Sequence, residues 1–182
     1  MIVDDDVVDR MAVKRLLKSA GVSVEVTEAE DCAAALAQLS VSKNSSTAAE
    51  KLSKQDKSQH LSEVEENAKS LLLNQIFDCK FDCVFLDYGL PDGDGLSLVE
   101  DVREAGLKVP LIVLTGQGDE QIAVELMKAG ASDYITKSKM SSESLSRSLY
   151  NALRVYRAES QAFHASQKLK ESEERYRLVL VI

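Results

Sequence analysis

Apolar positions along this chain switch repeatedly between helical spacing and strand alternation. Met1 to Asp4 is a short apolar run, the stub of a strand, and its brevity suggests a natural chain beginning slightly upstream. Met11, Leu16, Leu17 and Ala20 then fall at helical spacing, with Gly21 as a stop. Val22, Val24 and Val26 alternate with Ser23, Glu25 and Thr27, which predicts a strand with one wetter face. Asp31 stands as an N-cap before the alanine-rich helix CAAALAQL.

The same rhythm returns after residue 80. Phe81 to Leu86 reads as a buried strand, and Leu96, Leu98, Val99 and Val102 mark a helix ending near Gly106. VPLIVLT, residues 109–115, reads as a second buried strand. Ile122, Ala123, Leu126 and Met127 form a helix that stops before Gly130, and SDYITK, residues 132–137, is the last strand. Nearly continuous apolar strands alternating with helices predict a parallel sheet covered on both faces.

Two stretches break the pattern. VSKNSSTAAEKLSKQDKSQ is polar, and after it Leu61, Val64, Ala68, Leu71, Leu72 and Ile76 follow amphipathic helical spacing. Residues 41–80 therefore read as an inserted segment, helical in its second half. From about Ser141 the chain reads as helix to its end, since no glycine or proline follows Gly130. Such a helix, on the order of 50 Å long at 1.5 Å per residue, outruns the domain. Its first turns suit the sheet, and the rest predicts pairing with another chain or a lead-in to another domain. Leu145, Leu149, Ala152, Tyr156, Phe163 and Leu169 are scattered along it, and the heptads are imperfect, since Glu159 and Ser166 fall at core-like positions.

Composition narrows the class. At 182 residues, 45% hydrophobic and 29% charged, the chain suits one globular domain plus an appendage. A net charge of −8 argues against a nucleic-acid surface. No apolar stretch approaches the roughly 20 residues that span a bilayer. The opening MIVDDD lacks the parts of a signal peptide. Cys32, Cys79 and Cys83 read as reduced core or near-core thiols of a cytoplasmic protein.

Candidate chemistry lies at the strand ends, because ligands of an open parallel sheet bind beyond the carboxyl edges of its strands. The first strand ends in Asp4 and Asp5, with Asp6 after them. The strand from Phe81 ends in Asp87, the next in Thr115 before Gly116, and the last in Lys137. Three converging carboxylates repel one another, and an oxygen-seeking divalent cation relieves that repulsion. Magnesium fits such a ligand set. Lys137 and Thr115 would then meet phosphoryl oxygens, and Asp87 would be the nucleophile that forms an acyl phosphate. Pro91 and Gly95 shape the turn after Asp87, where Gly89 would bring its carbonyl close to a metal. Taken singly, Asp4 and Asp5 also suit a turn or helix cap, Asp92 and Asp94 suit turn and cap positions, and Lys137 suits an ordinary surface. The constellation carries the inference.

The segments IVDDDVVDR, FLDYGLPDGDG, LIVLTGQGD and GASDYITK together resemble the receiver domains of two-component response regulators. The resemblance covers residues 1 to about 40 and 81 to about 150. It implies a flavodoxin-like (CheY-like) doubly wound α/β fold, a five-strand parallel sheet in order 2-1-3-4-5, with the C-terminal helix extended. It implies Asp4 and Asp5 as the metal-binding pair, Asp87 as phosphoacceptor and metal ligand, and Gly89 as a backbone-carbonyl ligand. Thr115 becomes the switch hydroxyl, Tyr134 the switch aromatic and Lys137 the phosphate-binding lysine. The cofactor is Mg2+, with Mn2+ able to substitute.

The implied organisation is a receiver domain over residues 1–140 carrying the 41–80 insertion, then residues 141–182 as last helix and linker. The tail LKESEERYRLVLVI resembles the lead-in helix of a PAS-like domain, so the chain reads as the N-terminal part of a multidomain signalling protein. The output would be a diguanylate cyclase, a phosphodiesterase or a histidine kinase. The implied partners are a cognate histidine kinase or phosphotransfer protein and a second copy through the C-terminal helix, with no nucleic acid and no membrane. The chain would not be a conventional enzyme: it would catalyse its own phosphorylation from phosphohistidine and a slow autodephosphorylation. Neither Gly89 nor Gln117 offers a carboxylate to a hydrolytic water, so the phosphoryl lifetime should not be unusually short.

One departure from the family is Ser138, where most members have proline after the lysine. A cis bond before a non-proline residue costs about 2.5–4 kcal/mol, so a trans Lys137–Ser138 bond is expected. Two rival readings remain at this point. A phosphorylation-independent adaptor would not need three repelling carboxylates. A phosphatase of haloacid dehalogenase type would need an aspartate two residues after the nucleophile, where Gly89 stands.

Overall fold

The computed structural model describes residues 1–39, 79–116 and 120–179. Five parallel strands form its sheet: β1 (Ile2–Val3), β2 (Glu28–Ala29), β3 (Val84–Asp87), β6 (Leu111–Thr115) and β7 (Asp133–Thr136). Their order is β2-β1-β3-β6-β7, the doubly wound order expected once the small hairpin β4 (Gly89–Leu90) and β5 (Gly93–Asp94) is set aside. The helices are α1 (Val7–Ser19), α2 (Cys32–Gln38), α3 (Gly95–Glu104), α4 (Glu120–Ala129) and α5 (Ser142–Val179).

Strand alternation builds two cores, one on each face of the sheet. Val3, Val84, Leu86, Leu111 and Val113 pack with Ala35 of α2, Leu98, Val99 and Val102 of α3 and Leu126 of α4. Ile2, Phe85, Ile112 and Leu114 pack with Val13 and Leu17 of α1 and with Leu145, Leu149 and Ala152 of α5. All five residues of β6 are buried, as a central parallel strand covered on both faces requires. Arg103 fastens α3 below the sheet by donating to the carbonyls of Gly130, Leu107 and Val109 at 2.9, 2.8 and 3.0 Å.

Several expectations shift. The strand predicted over residues 22–27 is irregular, and β2 begins at Glu28. Ile2 N–H donates to the Thr27 carbonyl, and the ladder with β1 pairs Ile2 with Glu28 and Val3 with Ala29. The strand expected over Phe81–Leu86 is Val84–Asp87. Of the helically spaced Met11, Leu16, Leu17 and Ala20, Met11 is 51% exposed and Leu17 is buried; the buried face of α1 is Arg10, Val13 and Leu17. Residues 41–78 of the expected insertion, with its predicted helix, and Gln117 lie outside the described residues.

Other local readings agree. Asp31 caps α2 by accepting from Ala34 N–H at 2.6 Å. Gly130 closes α4 with φ of +101°, a conformation open to glycine and strained for other residues. No cis peptide occurs among the described residues, so Lys137–Ser138 is trans and runs into a short 3-10 turn, Lys137–Lys139. Cys32, Cys79 and Cys83 form no disulfide among the described residues, and burial pushes the Cys83 thiol up to about 12.

Candidate phosphoryl and cation site

Strand register assembles the site. Val3 pairs with Leu86, so the next residues, Asp4 and Asp87, leave neighbouring strands at the same edge. Asp87 pairs with Leu114, and Thr115 pairs with Thr136, which puts Thr115 and Lys137 one step further along that edge. Parallel pairing is what makes this convergence possible, since every strand ends at the same side.

Asp4, Asp5 and Asp87 each bring a carboxylate oxygen within 4.8 Å of the others. Asp4 and Asp87 are buried at 1% and 7% exposure, while Asp5 is exposed. The Lys137 ammonium stands among them, 2.8 Å from Asp87 Oδ1 and 3.0 Å from Asp4 Oδ2. Burial raises the Asp4 carboxyl pKa, against the pull of Lys137 and of Asp6 N–H, and the Asp87 charge raises it further. Burial would lower the Lys137 ammonium, but hydrogen bonds to Asp87, Asp9 and Asp4 outweigh it and hold the pKa above the ordinary lysine value. Lys137 alone cannot balance the acidic group, and the donor set of three oxygen ligands with no sulfur or imidazole suits a hard divalent cation.

The flanking residues are set by short-range contacts. Asp6 is the N-cap of α1, accepting from Val8 N–H at 2.7 Å, which leaves Asp4 and Asp5 for the pocket. Gly89 lies beside the nucleophile candidate: a Cβ there would sit 3.8 Å from Asp87 Oδ2. Gly95 is required sterically, since its Cβ would meet Tyr88 Cα at 2.9 Å and the Asp87 carbonyl at 3.0 Å. A Cβ at Gly116 would meet nothing within 4 Å, so there is open space beside Thr115. Thr115 is buried at 3%, whereas Tyr134 is at the surface, 38% exposed.

Two side chains went unread in the sequence. Asp9, in the first turn of α1, accepts from Lys137 at 2.6 Å. Its signal was available: four residues after Asp5, an acidic side chain at a helix start faces back over the strand ends. Arg10 is buried and donates to the Asp4 and Asp5 carbonyls at 2.6 and 3.2 Å, and to Glu28 and Glu30 at 2.7 and 3.1 Å. It fixes the backbone of the acidic pair. Asp94 caps α3 through Ser97 N–H at 2.7 Å. Asp92 caps a different helix, accepting from Cys32 and Ala33 N–H of α2 at 2.8 and 3.0 Å.

Comparison with known proteins bears on family and fold. A family model described as the response regulator receiver domain matches residues 44–149. Response regulator protein TodT of Pseudomonas putida is 35% identical over 71 residues, 39% of this chain and 31% of that protein. Transcriptional regulatory protein PhoP of Escherichia coli is 46% identical over 56 residues, 31% of this chain and 25% of that protein. The chain thus spans between a quarter and a third of the length of these curated relatives.

Among solved structures, a response regulator receiver domain protein from Clostridium thermocellum has a TM-score of 0.59 at 21% identity, covering 86% of this chain and 94% of that one. A CheY-like receiver domain protein from Methanospirillum hungatei has a TM-score of 0.56 at 22% identity, covering 87% and 94%. At such identities the likeness speaks to the fold. The family match begins at residue 44, later than the expected span from residue 1, so Asp4 and Asp5 fall outside it; β1 pairing with β3 ties them to the matched part.

Proposed function

The chain belongs to the response regulator receiver domain family, and from that premise we propose that it takes a phosphoryl group onto Asp87 from a histidine kinase or phosphotransfer protein. The Lys137–Asp87 contact at 2.8 Å, inside a cluster with Asp4, is the observation that carries this reading. An Asp87 carboxylate oxygen attacks the phosphorus of a phosphohistidine, the P–N bond breaks, and the imidazole leaves with the bond's electron pair. Lys137 places a fixed positive charge where negative charge gathers on the phosphoryl oxygens. Thr115, at the neighbouring strand end, supplies a hydroxyl donor to one of them.

Asp4, Asp5 and Asp87, with the Gly89 backbone carbonyl, would hold Mg2+, or Mn2+ in its place. When bound, the ion supplies charge neutralisation at the transferring phosphoryl group. The protein's own part is to hold those carboxylates together against their repulsion, through Arg10 on the Asp4 and Asp5 carbonyls and Asp6 N–H on the Asp4 side chain at 2.9 Å.

Phosphorylation would draw the Thr115 hydroxyl towards the new group, and Tyr134 would turn inward from its exposed position. That is a population shift read out through α4, β7 and α5. Residues 1–140 would be the receiver unit with 41–80 as its insertion, and residues 141–182 would lead as a dimer-forming helix to an output domain. No helix among the described residues is long and apolar enough to cross a membrane. We place the chain in the cytoplasm, where its kinase partner would act.

The test is incubation with phosphoramidate and Mg2+ followed by intact-mass measurement. One hydroxylamine-labile phosphoryl group is expected on the parent chain and none on Asp87→Asn. Labelling of Asp87→Asn equal to the parent would remove Asp87 as the acceptor.

A further inference from the structure

The long helix α5 carries two different apolar stripes. Leu145, Leu149 and Ala152 are buried against the sheet. A second stripe starts where that contact ends: Val155, Ala158, Ala162, Ala165, Leu169, Ser172 and Tyr176. Its spacing alternates three and four residues without a break, which is the a/d repeat of a two-stranded coiled coil. The large members face solvent, with Val155 53%, Leu169 62% and Tyr176 70% exposed. In this register Glu159 and Ser166, which interrupt a heptad continued from the sheet-packing stripe, move out of the core to flanking e positions.

Charge decides the occupant. With Val155 at a, the g positions are Arg154, Gln161, Lys168 and Arg175, and the e positions are Glu159, Ser166 and Glu173. In a parallel, in-register pair each g residue meets the e residue five further along the other helix. Arg154 then meets Glu159, and Lys168 meets Glu173. An antiparallel pair brings g against g and e against e, placing like charges together. Glu159 also feels the Arg103 guanidinium of its own chain, so the Lys168–Glu173 pair is the cleaner of the two.

We propose that α5 pairs with α5 of a second copy as a parallel, in-register coiled coil whose seam is Val155, Ala158, Ala162, Ala165, Leu169, Ser172 and Tyr176. The seam extends about 32 Å at 1.5 Å per residue. It leaves the sheet-packing stripe with its own domain, so each receiver unit sits outside the two-helix stalk. This rests on the dimer reading given above and adds to it the face, the direction and the register.

The test uses the whole 182-residue chain. Ala162→Cys, at an a position, should give a covalent dimer on mild oxidation, above the background set by the parent chain's own cysteines. Ser160→Cys, at an outward f position, should stay at that background. Leu169→Glu should shift the parent dimer to monomer in sedimentation, weakening association by at least about tenfold. Its receiver unit is monitored by an unchanged near-ultraviolet circular dichroism spectrum. A dimer that crosslinks at Ser160→Cys and not at Ala162→Cys overturns the seam and leaves the dimer reading standing. A parent chain that sediments as monomer at micromolar concentration overturns both.

Discussion

Lys137 Nζ lies 2.8 Å from Asp87 Oδ1 and at the same time touches Asp4 at 3.0 Å and Asp9 at 2.6 Å. One ammonium from the end of β7 is therefore shared by carboxylates from β3, the end of β1 and the start of α1. The side chains of Asp4 and Asp87 are only 1% and 10% exposed, so their charges are poorly screened without it.

Replacing Lys137 by Ala should destabilise the chain in metal-free buffer. Breaking a buried ion pair costs up to about 3–5 kcal/mol, and the 22% exposure of Lys137 puts this case at the lower end. Mg2+ should then raise the melting temperature of Lys137→Ala by more than it raises that of the parent. Equal shifts in the two proteins would mean that the lysine and the cation do not share the same carboxylates.

Asp9 and Asp4 both touch Lys137, yet only Asp4 belongs to the three-carboxylate cluster. Asp9→Asn should change stability by less than about 1 kcal/mol, as for a part-exposed ion pair, and should keep the Mg2+-dependent rise in melting temperature. Asp4→Asn should lose that rise. Loss of the rise in Asp9→Asn would instead enrol Asp9 among the cation ligands.

Gly95→Ala tests the backbone around Asp87, the proposed nucleophile. Its new Cβ would stand 2.9 Å from Tyr88 Cα and 3.0 Å from the Asp87 carbonyl, both main-chain atoms that move only by shifting the strand end. Overpacking of this kind costs about 1–3 kcal/mol. Chemical denaturation should show that loss, together with slower labelling by phosphoramidate. A variant as stable as the parent would show that the turn after Asp87 yields freely.

The acid limb of the stability profile has an identifiable contributor. Hydrogen bonds from Lys14 and Arg10 lower the Glu28 pKa below its ordinary 4.5. A carboxylate held lower in the folded state stabilises the fold above the unfolded pKa, and that contribution is lost as pH falls through the folded value. The melting temperature of Glu28→Gln should therefore fall less than that of the parent between neutral pH and about pH 3. Parallel melting curves across that range would remove Glu28 from the acid response.

Much of the fold was legible because burial leaves a period in the sequence. The unbroken apolar run at β6, the helix stops at Gly106 and Gly130, and the caps Asp31 and Asp94 all act over a few residues. Asp4, Asp87, Thr115 and Lys137 could be read as site candidates because each directly ends or follows an apolar run. Residues 22–27 misled because their alternation satisfies a strand, while a strand also needs a ladder partner, and the ladder with β1 is made by Glu28 and Ala29. Exposed Met11 and buried Leu17 show a related limit: helical spacing alone does not say which of two overlapping faces meets the sheet.

The sequence by itself determined the alternation of strand and helix, the acidic, hydroxyl and ammonium strand ends, and the receiver family they resemble, since these depend on local pattern and residue chemistry. Only the tertiary structure decided that Asp9 shares Lys137, that Arg10 holds the carbonyls of the acidic pair, and that Asp92 caps α2 sixty residues away in the chain. It also decided which stripe of α5 remains for a partner once Leu145, Leu149 and Ala152 are buried. Such contacts join distant segments, and their partners are fixed by strand register and by the packing of helices on the sheet, neither of which has a period that a single chain displays.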